Sequence, residues 1–303
     1  MRNFIHKFVF ISLALLVSCS SRQTTMGNTE SLQGLQAMSY AGKKNNNHQG
    51  SGKIREMALR ETALSLGAQA GLAWRAKMID EELVKETRRL DAIFDFNALV
   101  LPHNILPPVL LEGRNTLNLA DTQNIRISDR TYKVAKQAKF ITTPPNWRYY
   151  LWMDYQKPEY PNVTLLPKTK EEQHIWKQCV ERGWKNGIVQ ANTILEESSA
   201  RIKEDFKGMI LYRKLLAMNM ISPPYVSHTE LGITGNGEEI HIDDRVLRIT
   251  ALPALNPNSQ EWRAAVTQDD NLLEKFKSME KQIGKAKITV TSKAWQPVIA
   301  PVN

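Results

Sequence analysis

Cysteine is almost missing from this 303-residue chain, which holds only Cys19 and Cys179. With Cys19 in the N-terminal leader, no internal disulfide is expected even in an oxidising compartment, and stability has to come from packing. Long apolar runs are missing too. The longest, from Phe8 to Val17, is about half of the roughly 20 residues that a membrane span needs.

The sequence also lacks the signatures of common chemistries. It has no G-x-S-x-G elbow and no H-E-x-x-H pair, since His48, His103, His174, His228 and His241 are scattered. Gly232, Gly235 and Gly237 form G-x-x-G-x-G with no following Lys-Ser/Thr, which reads as a turn and not a phosphate cradle. The nearest approach to a metal cluster is Glu238, Glu239, His241, Asp243 and Asp244. These alternate along a strand, so they offer one or two ligands per face and read as a polar strand edge. Cys179 with His174 is the one pairing a thiol enzyme could use, but Cys179 falls mid-helix on an apolar face, where a free thiol behaves as a small hydrophobe. Glu196 and Glu197 are neighbours on a helix and point about 100° apart, so they do not form a glycosidase pair by themselves. No catalytic, cofactor-binding or metal-binding residue is expected.

The strongest positive signal is the leader. Arg2 and Lys7 precede the apolar stretch, which closes on Leu16-Val17-Ser18-Cys19, the pattern of a bacterial lipobox. This predicts a signal peptide over residues 1–18, cut so that a lipidated Cys19 becomes the first mature residue. At roughly 0.8 kcal/mol per buried methylene, three acyl chains make a firm anchor. Ser20 stands where an Asp would retain the protein at the inner membrane, so the periplasmic face of the outer membrane is the expected location. The plainer alternative is ordinary secretion with Cys19 incidental. The formal charge is +9, of which Arg2 and Lys7 supply two. This suits anionic lipid heads, lipopolysaccharide, peptidoglycan carboxylates or an acidic partner, and without a dense Lys/Arg stripe no direct nucleic-acid contact is expected.

Beyond the leader, residues 19–52 are rich in Ser, Gln, Thr, Asn and Gly and read as a flexible tether with a coil span on the order of 30 Å. Residues 53–266 read as a single α+β core domain, with two long helical regions and a small, mainly antiparallel sheet. Apolar residues three or four apart from Ile54 to Leu90 predict the first helix, with Gly67 and Gly71 forming a small-residue ridge for close packing, inside the domain or between copies. Strands and turns are expected over Val109–Ser128, and a short helix over Thr131–Phe140. The aromatic segment from Trp147 to Tyr160 reads as strand and loop core. The second long helix runs from Lys170 to Met220, with Gly183, Gly187 and Gly208 as bends. A hairpin over Leu231–Ile242 and a further strand over Val246–Leu252 follow. Residues 267–303 hold a last helix, from Asp270 to Ile283, and a tail.

Several runs in this order resemble the DotC family of type IVB secretion lipoproteins, whose outline the conjugation proteins of IncI-type plasmids share. They are Leu106-Pro107-Pro108-Val109-Leu110, Pro144-Pro145-Asn146-Trp147-Arg148-Tyr149-Tyr150-Leu151, Tyr212-Arg213-Lys214-Leu215-Leu216 leading into Ser222-Pro223-Pro224-Tyr225-Val226, and Leu247-Arg248-Ile249-Thr250. The resemblance implies a structural lipoprotein of the Dot/Icm-type core complex at the outer membrane. Its implied partners are a DotD-like lipoprotein, a DotH-like secretin-type subunit and DotG, DotF and DotK-like core subunits, in a multi-copy ring. Only the lipidated Cys19 carries over as a functional residue. The alternative from the residues alone is a lipoprotein that remodels or binds peptidoglycan, supported by basic charge and by the aromatic segment.

Overall fold

In a computed structural model, residues 28–40, 52–119, 123–263 and 270–285 are described. The elements in chain order are α1 (Leu32–Ala37), α2 (Gly52–Lys85), α3 (Thr87–Ile93), β1 (Ile105–Leu106), β2 (Val109–Leu119), β3 (Ile125–Lys136), β4 (Lys139–Phe140), α4 (Trp147–Leu151), α5 (Lys170–Ala217), β5 (Tyr225–Gly235), β6 (Ile240–Ala251) and α6 (Asp270–Lys285). The class is α+β, as the pattern predicts. The strands form three separate antiparallel pairs, β1 with β4, β2 with β3 and β5 with β6. None of the described helices is long and apolar enough to cross a membrane. The chain clusters into two compact units divided after Gly71, Gln156 and Gly187, so α2 and α5 each contribute to both.

In the first unit the two long helices touch backbone to backbone. A Cβ on Gly67 would lie 2.4 Å from the Val180 carbonyl oxygen, and one on Gly71 would lie 2.3 Å from that of Trp184. Across the seam, a Cβ on Gly183 would lie 2.2 Å from the Leu64 carbonyl oxygen. The small-residue ridge therefore packs inside the protein. Around it, Thr169 caps α5 by accepting from the Glu172 N–H (3.1 Å), while the Glu172 carboxylate accepts from the Lys168 N–H (2.6 Å). The same carboxylate takes two hydrogen bonds from Arg55 of α2 (2.8 and 3.2 Å), which also reaches the Thr164 and Leu166 carbonyls. Burial raises the Glu172 pKa, but the Arg55 contacts and the backbone donors outweigh it and hold the carboxyl below its ordinary range.

The stretch read as a tether contains a docked piece. Ser31 caps α1 by accepting from the Gly34 N–H, and Leu35 and Met38 are fully buried. Trp176 of α5 donates its indole N–H to the Leu35 carbonyl (2.9 Å), Gln173 donates to the Gln36 carbonyl (2.8 Å) and the Tyr40 N–H donates to Pro167 (3.0 Å). Few apolar residues occur here, yet two are enough when a short cap orients them.

The second unit has a larger core. Phe206 of α5 sits at its centre, edge-on to Phe94 (5.6 Å) and Phe96 (4.9 Å), and Phe96 stacks on Tyr150 (5.9 Å). Phe276, Met279 and Ile283 bring the inner face of α6 onto this core, and Lys214 of α5 pairs with Glu280. The inward placement of Phe276 and Ile283 agrees with the sequence pattern; the side chains of Leu272 and Leu273 lie outside the description, as do the tail after Lys285 and Cys19. Gly208 lets the base of β2 cross α5, since a Cβ there would meet Val109 Cγ1 at 2.5 Å and the Leu110 oxygen at 2.7 Å.

Several expectations give way. Thr131–Phe140 is not a helix: Thr131, Tyr132 and Val134 alternate along β3, opposite Gly113, Glu112 and Leu110, and β-branched and aromatic side chains favour this geometry. The 48-residue α5 does not break at its glycines; Gly183 and Gly208 serve close approach. The hairpin and the strand expected after it are one ribbon, because β6 continues through Asp243, whose φ of 58° absorbs a bulge. Trp147–Leu151 is a helical turn capped by Asn146, and not a strand.

Gly183→Ala is expected to lower unfolding stability by about 1–3 kcal/mol, because the new methyl group meets backbone. Gly52→Ala, with open space around it, should change it by less than about 0.5 kcal/mol. Urea unfolding of both variants checks this, and equal effects would refute the close-contact argument.

Candidate functional site

Asp205 lies on the apolar face of α5, one position before Phe206, and is only 4% exposed. A carboxylate there keeps its charge only if it is paired and hydrogen-bonded. Lys136, at the end of β3, donates to both oxygens (2.6 and 2.7 Å), and the Tyr150 hydroxyl of α4 donates to Oδ2 (2.9 Å). One buried group thus ties α5 to the base of a hairpin and to the aromatic segment.

Two further carboxylates hold that segment. Asp91 of α3 accepts from the Trp147 indole N–H (2.6 Å) and from Arg148 (3.3 Å), whose guanidinium stacks 4.4 Å over the Trp147 ring. Asp80 of α2 accepts the backbone N–H groups of Met153 (3.1 Å) and Asp154 (3.0 Å). Trp147 and Leu151 are thereby buried, while Tyr149, Trp152 and Tyr155 remain exposed on the surface.

Beside Asp205 an open cavity of about 860 Å³ has a floor of Leu106, Pro107, Val109, Ile141 and Met209 and a rim carrying Lys139, Arg201, Asn146 and Tyr149. Asp205 already accepts three hydrogen bonds within the fold. What the cavity offers a visitor is apolar contact with cations at the edge.

The two long ribbons supply the remaining surface. In β2–β3 only Val109 and Leu110 are buried, and Leu117, Leu119, Ile125 and Ile127 near the tip are exposed. In β5–β6 no residue is fully buried, and Ile233, Ile240 and Ile242 are exposed. Among the described residues neither ribbon pairs with a further strand at either edge.

The residues singled out from sequence fall apart in space or into ordinary roles. Cys179 is buried on α5 as its spacing implies. His174 pairs with Gln178 (3.0 Å), and Glu196 and Glu197 are exposed side by side. Of the acidic hairpin cluster, Asp244 accepts from the Thr234 hydroxyl (2.5 Å) and His241 is 3.7 Å from Glu239. Among the described residues no three His, Cys, Asp or Glu side chains gather as a metal site. Sequence reasoning missed Asp205, Lys136 and Tyr150. The signal was present: an acid inside the stripe Ile202, Phe206, Met209 demands a partner.

Burial, the Asp205 charge and the hydrogen bond to it push the Tyr150 phenol well above its ordinary value of 10.0. Burial pushes Tyr212, in the neighbouring core cluster, up to about 12. Groups that keep their proton in the fold and lose it in the unfolded chain contribute stability that is present below pH 10.0 and lost as pH rises through the folded values. Tyr150→Phe should therefore make the alkaline loss of stability shallower, as read by urea unfolding from neutral pH upward. An unchanged slope would show that the phenol titrates normally.

Residues 53–264 match the family model described as type IV secretory system, conjugal DNA-protein transfer. The match covers more than two thirds of the chain, and the protein belongs to this family. No curated protein matches it.

Proposed function

We propose that this member of the type IV secretion family is a non-catalytic lipoprotein of the secretion channel's outer-membrane core complex. Cys19 carries the lipid, the folded units stand on the periplasmic side, and the protein helps to place a secretin-type, DotH-like subunit together with a DotD-like lipoprotein. DotG, DotF and DotK-like subunits complete the surroundings, and effector proteins or DNA pass through the assembled channel. The observation that carries this reading is the family match over residues 53–264. It is supported by a surface spent on long open-edged ribbons, exposed aromatics and a cation-rimmed cavity. An anchored subunit works through geometry: confinement to a thin layer raises its effective concentration for its neighbours without any new contact.

A second reading, a lipoprotein that binds or remodels peptidoglycan, draws on Tyr149, Trp152 and Tyr155, exposed beside Arg148. Such rings stack on sugar faces, and the guanidinium can meet peptide carboxylates.

Cys19→Ser is expected to leave the fold intact and to move the protein out of the outer-membrane fraction, with its secretin-type partner displaced along with it. Fractionation and affinity purification of the tagged chain, with mass spectrometry of the N-terminal peptide, check this. Normal placement of the variant would overturn the anchoring role. Recovery with cell-wall fragments alone, together with activity in a zymogram, would favour peptidoglycan remodelling.

A further inference from the structure

The two ribbons of the second unit carry opposite charge. On β2–β3, the strands hold Arg114, Arg126, Arg130, Lys133 and Lys136 against Glu112 and Asp129. Lys136 is committed to Asp205 and Arg114 lies 3.4 Å from Glu112, which leaves Arg126, Arg130 and Lys133 with no ion-pair partner among the described residues. Arg114 and Arg130 stand directly opposite each other in the ladder, a like-charge pairing that costs stability unless an anion lies over it.

The β5–β6 ribbon has the reverse deficit. Glu230, Glu238, Glu239, Asp243 and Asp244 outnumber Arg245 and Arg248 in a chain that is +9 overall. Glu230 faces Arg245 in register. Glu238 and Glu239 at the turn and Asp243 at the β6 bulge have no Lys or Arg partner among the described residues, and Asn236 fixes the turn by accepting from the N–H groups of Glu238 and Glu239 (both 2.9 Å). Both ribbons also leave apolar surface open near their tips, 60–70% exposed at Leu117, Leu119, Ile125 and Ile127 and 68–73% at Ile233, Ile240 and Ile242.

We propose that the acidic β5–β6 ribbon of one copy docks on the basic β2–β3 ribbon of a second copy. The contact sets Glu238 and Glu239 against Arg126 and Arg130, which alternation places on the same face of β3, the face that also carries Arg114. An anionic lipid surface would satisfy only the basic ribbon and would repel the acidic one. A second copy satisfies both. Among the described residues the ribbons pair only with their own strands. The contact joins two different patches, so a docked pair keeps one free ribbon of each sign, at opposite ends, and association continues around a closed ring or along a filament. Strands of 11 and 12 residues span about 35 Å, long enough for an interface of standard size.

The proposal deepens the assembly reading, which calls for many copies, and its test uses the full-length chain alone in detergent. Sedimentation velocity is expected to show association that grows with concentration and weakens with salt. Arg126→Glu with Arg130→Glu, and separately Glu238→Lys with Glu239→Lys, should each weaken association roughly tenfold or more by placing like charges in contact. An equal mixture of the two variants should associate again, because each then presents a ribbon complementary to the other. A misfolded variant could not give that recovery. A wild-type chain that stays monomeric, variants that associate like wild type, or a mixture that fails to recover would overturn the proposal. So would loss of flotation with phosphatidylglycerol vesicles by the arginine variant in a chain that shows no self-association, which would assign the basic ribbon to lipid. None of these results bears on whether a secretin-type subunit co-purifies, so the two readings fail separately.

Discussion

A carboxylate inside an apolar helix face is costly unless its surroundings supply a cation and a donor, and Asp205 receives both from segments distant in sequence. Lys136 closes the β2–β3 ribbon and Tyr150 belongs to the aromatic segment, so the position of each is set by the same two oxygens. Asp80 and Asp91 repeat the device on α2 and α3. Three helices thus present one acid each to a stretch that has little regular structure of its own. The cavity wall and the exposed rings of Tyr149, Trp152 and Tyr155 are by-products of that clamping, with their placement fixed by charge and their outward faces free for recognition.

Periodic features were the most legible. The long helices follow from apolar residues every three or four positions, and the β5–β6 hairpin follows from alternation with Gly and Asn at its turn. What resisted reading has one common cause, namely that its meaning lies in a partner far along the chain. Gly183 and Gly208 look like helix breakers until Leu64 and Val109 are placed against them. Leu35 and Met38 are too few to suggest a core, yet Trp176 makes them one. Thr131–Phe140 carries charges at a helical spacing, but Tyr132 and Val134 had cross-strand neighbours waiting on β2. Asp205 was overlooked because a single acid in a long stripe is inconspicuous until its burial is known.

The family assignment and the physical description meet in the use of surface. Very little of either ribbon beyond its base serves the protein's own core, and two-stranded ribbons are marginal when isolated. A chain that maintains two of them, with exposed branched side chains and unbalanced charge, places its recognition capacity outside its own fold. That use of surface agrees with membership of a type IV secretion complex.

The docked α1 also changes the reach of an anchored chain. With a lipid on Cys19 and the first fixed point at Lys53, full extension at about 3.6 Å per residue would allow a stand-off near 120 Å. Asn28 begins the segment that holds onto α5 through Leu35, and the eight residues between it and Cys19 reach only about 30 Å. With the lipid proposed for Cys19, a leash of that length would hold the unit it grips close against the bilayer and narrow the tilt it can adopt, and the buried Leu35 would set that spacing.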